Sequence, residues 1–504
     1  MKALHSAAVR FLPVFAWGCL AAVFLFFMTH NVVDIDVWHA MTLGREIVNS
    51  GHVPFEDPFS YTPTVSPSIH HEWGAGLLAY AVSQWAGAYG LLAVKYALGL
   101  SLALCLVWHI RRTGVRLSVL AVAAPIGLAL LQPSLSTVRA QFYSLVVVAV
   151  LLIFLESDRR GKRWWIAVWL PLFVLWLNVH GGFVVGFGIL AAEWLQRALT
   201  GRKHAHLLGV GLGMAALVPA NPYGFRYYWH IVKAIRMDRP YIEEWQPMWF
   251  WWDKWPVFVA LFVVSVLVLV YVVTARRRWD FDGLFPLLLL LAGSILCLRI
   301  TYFYAIAWIC TVPGSLQLTS FGTFWDSFWR RRPEALIVFF AAVTFVFAQG
   351  AWLRRPWELV VPGAPEGRLG SRVIYPVGAV DYLRRMGFRG NLMVYFPYGA
   401  FVSWKLYPAV KVSMDSRYEA AYPTWLVVEN IELYRRASSW RKVLAAYPTD
   451  AVLVERVAPL AERLAGDFQW RLVYQDRYFL LFARNADRLT IEDHREAAFS
   501  GEFP

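Results

Sequence analysis

Between Asn31 and Trp73 the chain reads NVVDIDVWHAMTLGREIVNSGHVPFEDPFSYTPTVSPSIHHEW, directly after its first apolar segment. Acids and imidazoles are concentrated here as nowhere else, beginning with Asp34 and Asp36. A carboxylate in a partly dehydrated place can take a proton from a hydroxyl or hold a hard divalent cation. The bland account is that Asp36 caps a helix starting near Val37, where an acid satisfies free N–H groups and favours the dipole. One acid suffices for a cap, and a second beside hydrocarbon costs desolvation, which favours a working role. Asp34 and Asp36 are therefore the candidate catalytic residues. They are also the ligands to consider if Mg2+ or Mn2+ is used.

His70, His71 and Glu72 close the same stretch. They are not a zinc-protease HExxH motif, because Ala75 stands where the second histidine belongs. Adjacent histidines on an extended segment face opposite ways, so one of them at most reaches a shared site. Substrate binding and loop anchoring are equally good accounts of them. Arg139 and Arg299 stand isolated at the ends of apolar segments. Either they snorkel to headgroups, or their planar forks hold the phosphate of a lipid-linked donor. His180 lies in the turn Asn178-Val179-His180-Gly181-Gly182, whose glycines permit close backbone approach. Tyr223, Glu243 and Glu244 belong to an aromatic loop between Asn221 and Pro256. Its Trp and Tyr side chains suit a membrane-interface belt and stacking on sugar rings equally.

The elements that position these residues are mostly apolar. Of 504 residues 58% are hydrophobic and only 16% charged, against about 25% charged in soluble domains, and mean hydropathy is +0.46. About eleven segments approach the ~20 apolar residues that cross a bilayer: roughly 11–29, 89–108, 117–131, 140–155, 164–178, 182–196, 207–220, 257–274, 284–298, 301–318 and 335–353. Segment 74–86 is too short to cross and reads as an interfacial helix leading into the second span. The N-terminal run lacks a small-x-small cleavage site and reads as an uncleaved span. Cys19, Cys105, Cys297 and Cys310 all sit in apolar runs and read as small hydrophobes.

The net charge of +14 is not a nucleic-acid signature, because the arginines cluster in short loops such as IRRTGVR, ESDRRGKR, QRALTGRKHAH and ARRRWDFDG. By the positive-inside rule these loops and the N-terminus are cytoplasmic, and the loop 31–73 and the C-terminus are outside. Residues 1–353 thus form a multi-span domain. Residues 354–504 form a linker (RRPWELVVPGAPEGRLGS), a small extracytoplasmic α/β domain and a polar tail after Asn485. The domain ends in a hairpin expected across Gln475-Asp476. Phosphate-cradling GxxxxGK[ST], GxSxG and GxGxxG motifs are absent, which removes support for nucleotide hydrolysis and serine-esterase chemistry. The spans are nearly free of charge, Lys95 and Glu193 excepted, which favours an interfacial enzyme over a carrier.

An acidic pair after the first span, a long first outer loop, many spans and an outer C-terminal domain resemble the GT-C superfamily of membrane glycosyltransferases. The stretches DIDVWHAMTLGREI, HVPFEDPFSYT, HHEW, NVHGG, NPYG and IEEW are similar to bacterial members related to protein mannosyltransferases. The resemblance implies a polytopic α-helical protein of the bacterial inner membrane. It implies transfer of a sugar, with inversion, from a polyprenyl-phosphate donor to a glycan, lipid or protein acceptor on the outer face. In such a protein Asp34 or Asp36 serves as base or metal ligand; monophosphate donors generally need no metal, and pyrophosphate donors use one. The segment Tyr395-Phe396-Pro397-Tyr398-Gly399 looks loosely like the WWDYG acceptor motif of oligosaccharyltransferase, but lacks its two Trp and its Asp. The alternatives are a flippase for lipid-linked saccharides and a non-catalytic scaffold of glycan assembly.

Overall fold

The computed structural model describes residues 2–237, 239–276, 281–363, 374–484 and 489–504. The last residues of the expected linker, from 364 on, and the first residues of the expected polar tail lie outside the described residues. The chain folds as two compact units. One comprises Met1–Asn31, Ala93–Tyr228 and Arg236–Trp357; the other comprises Val32–Leu92, Trp229–Ile235 and Glu358–Pro504.

The chain is a polytopic helical membrane protein, and each of the eleven expected segments is a helix. Six described helices are long and apolar enough to cross a membrane: His5–Met28, Trp73–Thr113, Leu117–Leu135, Gln141–Arg159, Pro256–Arg276 and Pro333–Leu353. The other five run from 13 to 17 residues. At ~1.5 Å per residue they fall short of the ~30 Å hydrocarbon core. Among these, Thr301–Leu316 is buried along nearly its whole length. It packs against Leu117–Leu135, where Gly127 leaves no room for a side chain: a Cβ there would lie 2.4 Å from Ile309 Cγ1. Pro333–Leu353 is the most outward-facing of the six, with only 11% of its apolar window buried. It holds the first helix through Phe26 and Phe347, whose rings meet edge-to-face at 5.0 Å. All four cysteines are unpaired, as their apolar settings required.

The break expected after residue 86 is present. Trp73–Thr113 loses helical geometry at Ala86 and Gly87, where Gly87 takes φ 54°.

The second unit is an α/β fold on a six-stranded mixed sheet. Its strands are β1 (Gly390–Met393), β2 (Val410–Val412), β3 (Ala451–Glu455), β4 (Arg471–Asp476), β5 (Phe479–Ala483) and β6 (Glu492–His494). Their spatial order is β2-β1-β3-β5-β4-β6. β1 runs parallel to β2 and β3, and the β4–β5 hairpin is antiparallel. The hairpin turns at Arg477-Tyr478, two residues beyond the expected point, because Asp476 Oδ1 accepts the Tyr478 and Phe479 N–H groups at 2.8 Å and shapes the turn. β5 is buried on both faces, as a strand covered by helices must be.

The first loop belongs to this fold. Val412 donates to Phe59 O and Tyr61 donates to Val412 O, both at 3.1 Å, so the loop extends the sheet beyond β2. Helix Ile35–Ser50 buries Val37, Trp38, Met41 and Leu43. It ends where Gly51 adopts φ 76° and returns its N–H to Ile47 O, the usual left-handed stop.

Candidate functional site

The acidic pair sits at the start of Ile35–Ser50. Asp34, not Asp36, is the N-cap: its Oδ1 accepts the Asp36 N–H at 3.0 Å and its backbone is extended. The cap falls two residues earlier than expected because the helix begins at Ile35. Asp36 occupies the first helical turn, where the dipole favours its charge. Tyr375 lies close by, donating to Val33 O at 2.9 Å. Burial, with Asp34 and Asp36 adding to it, holds the Tyr375 phenol well above its ordinary range, so it is a neutral donor. Trp38 meets Tyr375 and Phe401 edge-to-face and anchors the helix beneath the pair.

One turn further along, His39 enters a buried polar cluster. The Arg417 fork binds Asp57 through two nitrogens at 2.8 and 3.1 Å. It also holds Asp415 at 2.7 to 3.1 Å. Both carboxylate side chains are fully buried and the guanidinium nearly so. Burial alone would raise Asp57, but Arg417 overrides it and keeps the carboxyl below its ordinary value. The Tyr422 hydroxyl accepts from Asp415 N and Arg417, both at 3.2 Å, and shares a hydrogen with Ser60 at 2.6 Å. His39 and His70 stack at 5.8 Å, and His39 Nδ1 is 3.7 Å from Asp415 Oδ2. Burial first, and Arg417 second, depress both imidazoles well below their ordinary value, so both are neutral at pH 7. The adjacent histidines do diverge: His71 reaches Glu72 at 3.5 Å and stacks on His230 at 6.2 Å.

Helix Phe396–Leu406 carries the YFPYG segment. Tyr398 is buried with its hydroxyl on Glu455. A Cβ on Gly399 would fall 1.8 Å from Met414 O, so the glycine lets helix and backbone touch. These positions hold the core of the unit together.

In the membrane unit, Arg139 and Arg299 converge on one carboxylate. Arg139 meets Glu244 Oε1 at 2.5 Å. The short helical turn Glu243–Trp245 is stapled to the turn Leu298–Ile300 by Leu298 N donating to Gln246 O at 3.1 Å. Burial would raise the Glu244 carboxyl, but Arg139 and Arg299 together hold it below its ordinary value. Arg239 and Arg299 lie 4.0 and 5.7 Å from the Trp245 ring. Three guanidinium groups thus surround IEEW, an arrangement able to neutralise an anion. Glu243 pairs instead with Lys254.

His180 and Tyr223 are held structurally. Trp176 donates to Ser144 Oγ at 2.6 Å, and Ser144 Oγ lies 2.6 Å from His180 Nδ1, which also accepts the Gly182 N–H at 2.9 Å. That N–H is thus taken up within the turn. Gly182 is required because a Cβ would lie 2.4 Å from Ser144 Oγ. Tyr223 stacks on Tyr227 at 6.2 Å. Lys95 is buried and satisfied by His30 O, Asn31 Oδ1 and Ser136 O at 3.0, 2.9 and 3.3 Å. Glu193 pairs with Arg159 and Arg197.

Asp34 and Asp36 do not gain a third ligand. Among the described residues no three His, Cys, Asp or Glu are grouped to hold a metal, and Asp34 Oδ1 is committed to the cap.

Sequence reasoning missed Asp57, His39 and Arg239 as members of these clusters. Their signal was only charge density, because the partners are remote in the chain.

No protein-family model matches this chain, and no curated protein matches it. Solved structures do. ArnT from Cupriavidus metallidurans in the apo state superposes with a TM-score of 0.53 at 13% identity, covering 96% of this chain and 100% of that one. The same protein bound to undecaprenyl phosphate gives 0.48 at 13% identity, with 95% and 99% covered. The chain has the fold of ArnT.

Proposed function

We propose that this chain, built on the GT-C fold, is an inverting glycosyltransferase. It moves a sugar from a polyprenyl-phosphate donor to an acceptor on the outer face of the inner membrane. The observation that carries this reading is the convergence of Arg139 and Arg299 on Glu244, with Arg239 beside them. When the anomeric bond breaks, negative charge grows on the departing phosphate. Arginines already fixed around an anion stabilise that charge without reorganisation. In this scheme the donor phosphate takes the place of the Glu244 carboxylate.

Asp36 is the proposed base. Asp34 serves as the cap, bonded to Asp36 N, and Asp36 stands in the first turn of the same helix. Its carboxylate takes the acceptor proton as the acceptor oxygen attacks the anomeric carbon, and the phosphate departs with the bonding pair. Positioned bases of this kind contribute about 10²–10⁴-fold. His71 and Glu72 are proposed to bind sugar or acceptor. His70 and His180 act indirectly, by holding the loop and turn that carry them. The reaction is proposed to run without Mg2+ or Mn2+, which suits a monophosphate donor.

The test is transfer from a polyprenyl-phosphate sugar in membranes carrying Arg139→Ala or Arg299→Ala. Each is expected to raise the donor KM and lower kcat. An unchanged donor KM in both stable variants would leave neutralising Glu244 as their role.

A further inference from the structure

A polar cavity lies within the membrane unit, away from Glu244 and its arginines in sequence. It encloses about 370 Å3, within the range of small-ligand sites. It is lined from four of the basic loops or the helix ends beside them, the same loops that the charge distribution assigns to the cytoplasmic face.

Arg159, Arg160, Arg202 and Arg276 line it with Glu156 and Asp282, and a third carboxylate, Glu193, pairs with Arg159. Arg159 is bound to Glu193 through Nε at 2.9 Å and lies 3.4 Å from Glu156. Arg160 shares Glu156 at 2.8 Å, and Arg202 pairs with Asp282. Arg276 differs: its guanidinium donates to Ser315 Oγ at 3.0 Å and has no carboxylate partner among the described residues. Helix-end arginines often do no more than complement the dipole, yet here four surround one space.

An independent observation points to a ligand. His109 lines the same cavity and is 4% exposed. Its Nε2 lies 3.0 Å from Cys310 O, which makes Nε2 the donor and Nδ1 an acceptor. Nδ1 is buried and has no hydrogen-bond partner. Such a group is costly unless something supplies the bond. The lining therefore offers excess guanidinium charge and one unmet acceptor.

We propose that this cavity binds a phosphate group carrying a hydroxyl, either the headgroup of an anionic phospholipid or a soluble hydrogen phosphate. The arginines donate to the anionic oxygens, and His109 Nδ1 accepts a hydrogen bond from the hydroxyl. This site is independent of the transfer reaction proposed above.

Arg276→Ala is the informative variant, because it orphans no carboxylate among the described residues; Arg159→Ala would strand the buried Glu193. Arg202→Gln, at an exposed pair, is the second variant. Full-length protein in detergent would be titrated with phosphatidylglycerol and phosphatidylcholine by native mass spectrometry, and with inorganic phosphate by calorimetry. Unfolding temperature would report that the variants fold. We expect phosphatidylglycerol or inorganic phosphate to bind about tenfold more weakly to each variant, the loss of one charge-assisted bond. A loss confined to phosphatidylglycerol identifies a lipid headgroup. Saturable inorganic phosphate lost in the variants identifies a soluble anion. Folded variants that match the wild type for both probes overturn the proposal.

Discussion

At the scale of single residues, Asp34 and Asp36 separate into two tasks that the spacing alone had blurred. Asp34 closes the helix start, so Asp34→Ala should cost about 1 kcal/mol of stability, read as a lower unfolding temperature with transfer largely kept. Asp36→Asn should lower kcat by about 10²–10⁴-fold in protein whose unfolding transition shows that it is folded. Arg417 shows the opposite profile. It neutralises two fully buried carboxylates, so Arg417→Ala should destabilise by about 3–5 kcal/mol, seen as loss of folded protein. The same cluster sets a pH dependence. His39 and His70 have folded-state values depressed below the ordinary imidazole value, so the unfolded chain binds more protons below about pH 6.5. Stability contributed by the neutral rings is complete above that pH and declines as pH falls through it. Unfolding temperature should drop between pH 7.5 and 5.5, and His39→Gln with His70→Gln should flatten the drop. An unchanged slope in the double variant would assign the effect to other groups.

At the scale of elements, close backbone approach decides what can change. Helix Ile35–Ser50 crosses Trp73–Thr113 where Gly44 faces Gly76: a Cβ on Gly44 would lie 2.4 Å from Gly76 O. Neither backbone can retreat without losing helical bonds, so Gly44→Ala should cost about 1–3 kcal/mol, measurable as reduced thermal stability and yield. The helices themselves were legible because uninterrupted apolar runs leave a local signature, as did the kink at Gly87 and the alternation of strands and helices after Val377. The pairing of Phe59 and Tyr61 with Val412 was not legible. Nor was the union of Asp57 with Arg417. Those partners are some 350 residues apart, and a single non-local pair imposes no periodicity on either segment. Arg139, Arg299 and Glu244 were each singled out from the sequence, but their convergence depends on the Leu298–Gln246 staple, which no spacing announces.

At the scale of the molecule, the charge distribution and the proposed chemistry make one joint claim: the acidic loop and the C-terminal α/β domain face outwards. Alkaline phosphatase fused after Pro504 should be active in intact bacteria, and a fusion within the QRALTGRKHAH loop should not. Reversed activities would place the acidic loop on the side where the basic loops are expected. The central claim, that Asp36 removes the acceptor proton in transfer from a polyprenyl-phosphate sugar, is tested most directly by single-turnover transfer with purified Asp36→Asn protein preloaded with labelled donor. The predicted result is wild-type donor binding with transfer slowed at least about a hundredfold. Transfer at the wild-type rate from the folded, donor-loaded variant would contradict it.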